Sequence, residues 1–432
     1  MTARIILTTI GSLGDLHPFL AVGKALQARG AHPVMAIPES NIDKAEAAGL
    51  EAVAVVPGIE RVAADTGKSV EDFMRVAIND APTIAKTLLL PYFGESFDRI
   101  NAIADGAEII AGSSFLFAGT AVAEKRGIPF VAMMLQPLAF LSDYDPPLLW
   151  EYPVLARAPK ADWQIAWNRV AGFFLRAEVW RRYSFSINRS RRLKGLGPAR
   201  GLPVLGAPAY CSMSIGMYSS VLGAIQPDFP PNSHLVGFPQ FDSDSGRQEA
   251  LSDELTAFLD AGAPPIVFTL GSIAVLAAGD FYARSREVAR RLGRRAVLLT
   301  GNDDRSLDAP DCLCLRYAPH SLLFPRAAVN VHHGGIGTTG QALRSGRPQL
   351  VVPFMGDQPD NAVRIRRIGA GLLLSSRRYT VDRAAGLIKR LLDEPGFAAE
   401  AARLGDVVRA ERAAEAAADR LLELAESRRR ST

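Results

Sequence analysis

The chain has 432 residues, long for one hydrophobic core and comfortable for two domains of about 200 residues each. Hydrophobic residues make up 48% and charged residues 22%, a globular balance that excludes a disordered chain. The 49 basic and 45 acidic residues leave a net charge of +4, which offers no global field for nucleic acid, so no nucleic-acid partner is expected.

The opening "MTARIILTTIGSLGD" carries one basic residue and reaches glycine after a short apolar run, unlike a signal peptide, so a cytoplasmic protein is expected. "RIILTT" predicts a buried strand and "GSLGD" a turn. Pro18 then marks the start of a helix, "FLAVGKALQARG", closed by Gly30. "PVMAI" and "EAVAVV" predict strands on either side of a short helix ending at Gly49. "EIIAG" and "PFVAMM" add two buried strands around the helix "AGTAVAEKRG". Continuous apolar strands alternating with helices imply a parallel, doubly wound sheet.

An insertion over about 140–200 follows, and it holds Trp150, Trp163, Trp167 and Trp180. Arg181, Arg182, Arg189, Arg191, Arg192 and Lys194 lie close behind. The pattern reads as an amphipathic helical pair packed on the sheet, or else as a greasy ligand pocket or a peripheral contact at the inner membrane face. "RVAGFFLRAEVW" is interrupted by Arg176 and Glu178 and is too short to span a bilayer.

"AIQPDFPPNSHLVGFPQFDSDSGRQ" is rich in Pro, Ser and Asp and reads as a linker. The strand-helix grammar then restarts at "PPIVFTLGS" and runs through "AVLLTG", "AAVNVHHGG", "PQLVVPF" and "GLLL". Cys312 and Cys314 alternate with Leu313 and Leu315 and read as thiols on one buried strand face; with Cys211 they make no disulfide framework, and no zinc spacing follows. The organisation predicts an N-terminal domain over 1–228, a linker over 229–250, a second domain over 251–394 and a C-terminal helix over 395–432. Open parallel sheets bind ligands beyond the carboxyl ends of their strands, so "GSLGD" and "HHGGIGTT" are expected to face each other across a cleft.

"HHGGIGTT" begins where the strand "AAVNV" ends, and "TGQALRSG" reads as the helix after it. Unpaired N–H groups of the glycine turn and first helical turn, with the helix dipole, make an anion site. Thr338 and Thr339 offer hydroxyls there, and His333 can donate a hydrogen bond to phosphate. His332, on the opposite strand face, reads as a packing residue behind it.

From "LRYAPHSLLF" through "HHGGIGTTGQALRSGRPQLVVPFMGDQPDNA" the chain resembles the nucleotide-sugar signature of family 1 glycosyltransferases. "IGSLGDLHPFLAVGKAL" resembles the opening loop of the sterol, glycopeptide and rhamnolipid branches, and "LVGFPQFD", "LSDELTAFLDAGAPPIVFTLGS" and "GDFY" look closest to the rhamnolipid rhamnosyltransferases. The resemblance implies an α/β GT-B fold, two Rossmann-like doubly wound domains facing a cleft. It implies an inverting transfer of a hexose from a UDP- or dTDP-sugar donor to a hydroxyl of a hydrophobic small-molecule or lipid acceptor, with no cofactor.

Residue by residue, the resemblance puts His333 on the donor phosphates, with Gly335, Gly337, Thr338 and Thr339 as the phosphate loop and Ser272 near the terminal phosphate. Tyr317 stands where many members stack a tryptophan on the base, and the His320 backbone would hold the base edge. Gln341 replaces a glutamate that many members place on the ribose, and Asp357 with Gln358 matches the pair on the sugar hydroxyls. Asp15 falls at the general-base position, with His17 as a rival proton acceptor; helix capping is the structural alternative for Asp15. Ser12, Leu13 and Trp150 are the candidate acceptor contacts.

The tripeptides "DYD", "DSD" and "DDR" invite a divalent-metal reading, but none follows a suitable strand, and no metal is expected. "GSLG" departs from G-x-G-x-x-G, which weakens a dinucleotide reading. Two alternatives share the motif set: a nucleotide-sugar epimerase of the same fold, and a non-catalytic protein that binds a nucleotide sugar. The retention of Asp15, His333 and the Asp357-Gln358 pair argues against the second.

Overall fold

A computed structural model describes residues 2–430 apart from 11–12, 68, 71–86, 88, 114–116, 149–158, 160, 203–205, 248 and the side chains of 273 and 276. Ser12 and Trp150 lie outside the described residues. The chain forms two compact units, Met1–Phe241 with Arg412–Thr432, and Asp242–Glu411.

The first unit is built on strands β1 (Arg4–Thr8), β2 (His32–Pro38), β3 (Glu51–Val56), β4 (Ile109–Gly112), β5 (Phe130–Met134), β6 (Met213–Gly216) and β7 (Ser233–Leu235). Their order is β3-β2-β1-β4-β5-β6-β7, and neighbouring strands run parallel. The strands read as unbroken apolar runs because helices cover both faces of the sheet; β4 and β5 are buried at every position.

The second unit carries β8 (Ile266–Thr269), β9 (Ala296–Leu299), β10 (Cys312–Leu315), β11 (Val329–His332), β12 (Gln349–Val351) and β13 (Gly371–Leu373), all parallel in the order β10-β9-β8-β11-β12-β13. Alternate residues point to opposite faces. Phe268, Leu298, Cys314 and Val331 enter one core, while Val267, Val297 and Leu313 enter the other. Cys312 and Cys314 are buried on one face, and burial pushes their thiols up to about 12 and about 11.

Strand order reverses between β1 and β4 in the first sheet and between β8 and β11 in the second. Such switch points open a crevice at the carboxyl ends of the two strands. The sequence motifs "GSLGD" and "HHGGIGTT" follow β1 and β11.

Several elements differ from the sequence reading. The first helix is Leu13–Ala28, so Pro18 lies inside it rather than at its start. Among its described residues the tryptophan-rich insertion holds one α-helix of 32 residues, Asp162–Leu193, where a pair was expected. The unit boundary follows Phe241, and β7 occupies part of the segment read as linker. The C-terminal helix is two helices, Pro395–Ala410 and Ala413–Arg429. The second of these belongs to the first unit, where Arg29 pairs with Asp419 and Arg429 with Glu108 at 2.6 Å.

Candidate active site

Asp15 sits half-buried in the first turn of the Leu13–Ala28 helix, and is not the residue that precedes it. The capping alternative therefore changes form: an acid in the first turn gains from the helix dipole and its unpaired N–H groups. Pro18 has no N–H to give the Gly14 carbonyl, so the turn carrying Asp15 lacks one of its backbone bonds. Leu13 is half-buried at the start of this helix, and the His17 ring lies 5.5 Å from that of Phe241.

In the second unit, β11 runs into Gly334 (φ 91°) and Gly335, and the Ile336–Ser345 helix follows. Gly335 is the N-cap and has no side chain to satisfy the first turn, so the N–H groups there remain open to an anion. These glycines are steric requirements. A Cβ on Gly335 would lie 2.4 Å from His333 Nε2, and one on Gly271 (φ 66°) would lie 2.6 Å from its Cε1. The imidazole is thus wedged between the turns after β8 and β11, the two strands of the switch point.

His333 is buried and its Nδ1 has no hydrogen-bond partner. Desolvation, with the neighbouring His332 and His320, pushes its pKa down to about 3. The ring is neutral in the free protein, so any hydrogen bond it donates comes from a neutral N–H rather than an imidazolium. Of the two threonines, Thr338 is half-buried on the open side, whereas the Thr339 hydroxyl is wholly buried without a partner. The helical turn rotates the Thr339 hydroxyl inward.

Behind the turn runs a buried polar chain. His332 Nδ1 accepts the Gly334 N–H at 3.1 Å, which leaves Nε2–H to donate to Gln349 Oε1 at 2.8 Å. Burial holds His332 at a pKa of about 4, in keeping with this neutral tautomer. On the other side of the same glycine, Asn361 Nδ2 donates to the Gly334 carbonyl at 2.9 Å and to Asp357 Oδ2 at 2.7 Å. The phosphate turn and the candidate sugar-binding acid are therefore one hydrogen-bonded assembly. Gln358 is drawn in as well: its Oε1 accepts the N–H groups of Phe354 and Met355 at 2.7 and 3.0 Å. Its carbonyl end is committed to holding the loop, so only the amide N–H₂ remains for a sugar hydroxyl. Beneath them Asp360 and Arg364 form a buried ion pair at 2.7 Å.

At the far end, the Tyr317 hydroxyl donates to Asp242 at 3.1 Å, and Asp242 also accepts the Ser321 N–H at the start of the His320–Leu323 helix. Burial, and then Asp242, push the Tyr317 phenol up, keeping it protonated. The ring is tethered by its hydroxyl, with His320 edge-on at 6.0 Å. Asp244 pairs with Arg316 at 2.9 Å, so the "DSD" tripeptide is taken up in pinning the linker to this unit. Ser272 is exposed in the short helix after β8, and Gln341 is buried with an unpartnered Oε1. Among the described residues no cluster of His, Cys, Asp or Glu could hold a metal ion.

The sequence reading missed Asn361, Gln349 and Asp242. Asn361 stands in the quoted "GDQPDNA", but nothing in its spacing signals a contact with a glycine 27 residues earlier. The first unit also carries an open pocket of about 320 Å³ lined by Phe93, Phe117, Ile187 and Leu202, with Glu124 and Arg191 paired at 2.7 Å on its wall.

Two all-parallel doubly wound sheets, each carrying its motif at the switch point, define the GT-B class of fold. Residues 299–424 match the family described as "Erythromycin biosynthesis protein CIII-like, C-terminal domain". The chain is 31% identical to the O-mycaminosyltylonolide 6-deoxyallosyltransferase of Streptomyces fradiae, over 98% of each chain. It is 30% identical to the vancomycin aglycone glucosyltransferase of Amycolatopsis orientalis, over 99% of each. Among solved structures, the spinosyn rhamnosyltransferase SpnG complexed with thymidine diphosphate superposes with a TM-score of 0.65 at 19% identity, covering 97% of this chain and 100% of that one. The chain belongs to the family 1 glycosyltransferases of GT-B fold, and it is a transferase. Of the branches read from the sequence, the glycopeptide enzymes are represented among these relatives; the macrolide enzymes were not foreseen.

Proposed function

We propose that this glycosyltransferase moves a hexose or deoxyhexose from a thymidine or uridine diphosphate donor to a hydroxyl of a hydrophobic natural product, with inversion at the anomeric carbon. The observation that carries the reading is the open N-terminus of the Ile336–Ser345 helix beside His333, an arrangement that suits an anion at a switch point. The bound thymidine diphosphate of the spinosyn rhamnosyltransferase and the names of the 6-deoxyallosyltransferase and vancomycin aglycone glucosyltransferase relatives support the same donor and acceptor classes.

In this reading Asp15 accepts the proton of the acceptor hydroxyl as its oxygen attacks the sugar C1. The C1–O bond to the diphosphate breaks, and the nucleoside diphosphate leaves with its new charge stabilised by the first-turn N–H groups, Thr338 and the His333 N–H. Asp357, held by Asn361, orients the sugar hydroxyls, and the Gln358 amide N–H₂ assists. Tyr317 lies under the base. The pocket lined by Phe93 and Phe117 suits the apolar body of an acceptor.

The test is incubation with dTDP- and UDP-sugars and a set of macrolide, phenolic and lipid alcohols, with products read by mass and anomeric configuration by NMR. A single glycoside of inverted configuration is the expected product. A retained configuration contradicts the single displacement, and an isomerised nucleotide sugar made without acceptor contradicts the transferase chemistry.

A further inference from the structure

The long helix Asp162–Leu193 holds to its unit by one side only. Leu175, Tyr183 and Ile187 are buried, and Asn168 donates to the Asp143 carbonyl at 3.0 Å. The opposite side is left in solvent over almost five turns. Trp163, Trp167, Val170 and Phe174 follow the i, i+4, i+7, i+11 spacing of one stripe, and Phe173 and Trp180 widen it. At about 100° per residue these six side chains span an arc of about 140° with no charged residue within it up to Trp180. Trp163 is 70% exposed, Phe173 63% and Phe174 66%. A contiguous apolar surface of this kind marks a docking face, since single exposed apolar residues are ordinary but a stripe is not.

The rim identifies the occupant. Arg169 and Arg176 both approach Asp143, at 3.9 and 3.4 Å, so two cations share one acid. Arg181 and Arg182 both pair with Glu178, at 2.8 and 3.2 Å, again two cations to one acid. Arg189 and Arg192 follow, both exposed, and Asp162 lies beyond the tryptophans at the helix start. An aromatic stripe with arginines along one edge and clustered beyond its C-terminal end matches the requirements of an in-plane helix on an anionic bilayer: tryptophan and phenylalanine at headgroup depth, cations against phosphate. A second copy of the chain fits worse, because pairing the same stripe across a two-fold axis sets one arginine-rich rim beside another. No helix among the described residues is long and apolar enough to cross a membrane, so the contact is one of surface, not span.

We propose that the exposed face of the Asp162–Leu193 helix docks this glycosyltransferase on an anionic lipid surface. The face stands on its own geometry and does not depend on the identity of donor or acceptor.

The test is co-sedimentation of the full chain with phosphatidylcholine vesicles, with and without phosphatidylglycerol. Binding to the phosphatidylglycerol vesicles is expected, with a blue shift of tryptophan emission and weakening by salt. The W167E/F174E variant changes only exposed side chains, so its melting temperature and nucleotide affinity stay at the wild-type values. Its partitioning should fall by about tenfold or more. Arg181→Glu combined with Arg182→Glu should lower binding to phosphatidylglycerol vesicles selectively. Absence of wild-type binding to either vesicle overturns the proposal. So does binding that W167E/F174E leaves unchanged, or a dimer in light scattering that this variant converts to a monomer.

Discussion

Asn361 and Asp357, one helical turn apart, share a 2.7 Å hydrogen bond, and the same amide nitrogen of Asn361 donates to the Gly334 carbonyl at 2.9 Å. The carboxylate proposed to hold the sugar is thereby positioned by the turn proposed to hold the phosphates. Asn361→Ala leaves a buried carbonyl and a carboxylate without their donor. Donor KM is expected to rise about 10- to 100-fold, for a loss of about 1–3 kcal/mol, while acceptor KM stays put. A parallel rise in both constants would show general loosening instead.

His333→Ala removes a neutral N–H from the proposed phosphate site, so the expected loss is that of an uncharged hydrogen bond. Affinity for dTDP and UDP should fall about tenfold. Calorimetric titration measures it, and unchanged affinity for both nucleotides would remove His333 from the phosphate contact.

The buried histidines also set an acid limit on stability. Their pKa values, about 4 for His332 and about 3 for His333, lie below the ordinary value near 6.5, so in this range the unfolded chain binds more protons than the folded one. Their stabilising contribution is full above about pH 6.5 and is lost as pH falls toward about 4 and then about 3. Each histidine contributes a slope of up to about 1.4 kcal/mol per pH unit within its window. Urea unfolding between about pH 7 and about pH 5 measures this, and a flat profile for the second unit would contradict the assignment.

Turnover is expected to survive excess EDTA, because in the proposed mechanism the open helix N-terminus beside His333 carries the charge of the diphosphate. Loss of activity on chelation, restored by magnesium or manganese, would contradict that.

Much of the scaffold was legible because its strands are covered on both faces and so read as unbroken apolar runs between helices. "RIILT" and "VNVH" needed nothing more. The turn after β11 was legible from its glycines, whose positions leave no room for a Cβ beside His333. Local pattern says less where no residue punctuates the chain. The break at 411–412 separates two stretches rich in Ala, Arg and Glu, without proline or glycine at the break, so they read as one helix. Conversely Pro18 read as a helix start, although the helix begins at Leu13 and holds the proline within it at the cost of one backbone bond. The inward turn of Thr339 and the role of Asn361 depend on long-range packing that spacing alone does not encode.

The general base is the central claim, and Asp15→Asn tests it most directly. The amide keeps the size of the side chain and forfeits the basicity, and at a first-turn position the lost dipole interaction amounts to about 0.3–1 kcal/mol. Initial rates of the variant, with saturating donor and acceptor, are to be read beside melting temperature, dTDP affinity and the rate of His17→Ala. The account predicts a fall in turnover of about 10² to 10⁴ for Asp15→Asn, with folding and nucleotide binding close to wild type and a smaller loss for His17→Ala. A near wild-type rate for Asp15→Asn, or a larger loss for His17→Ala, would contradict it.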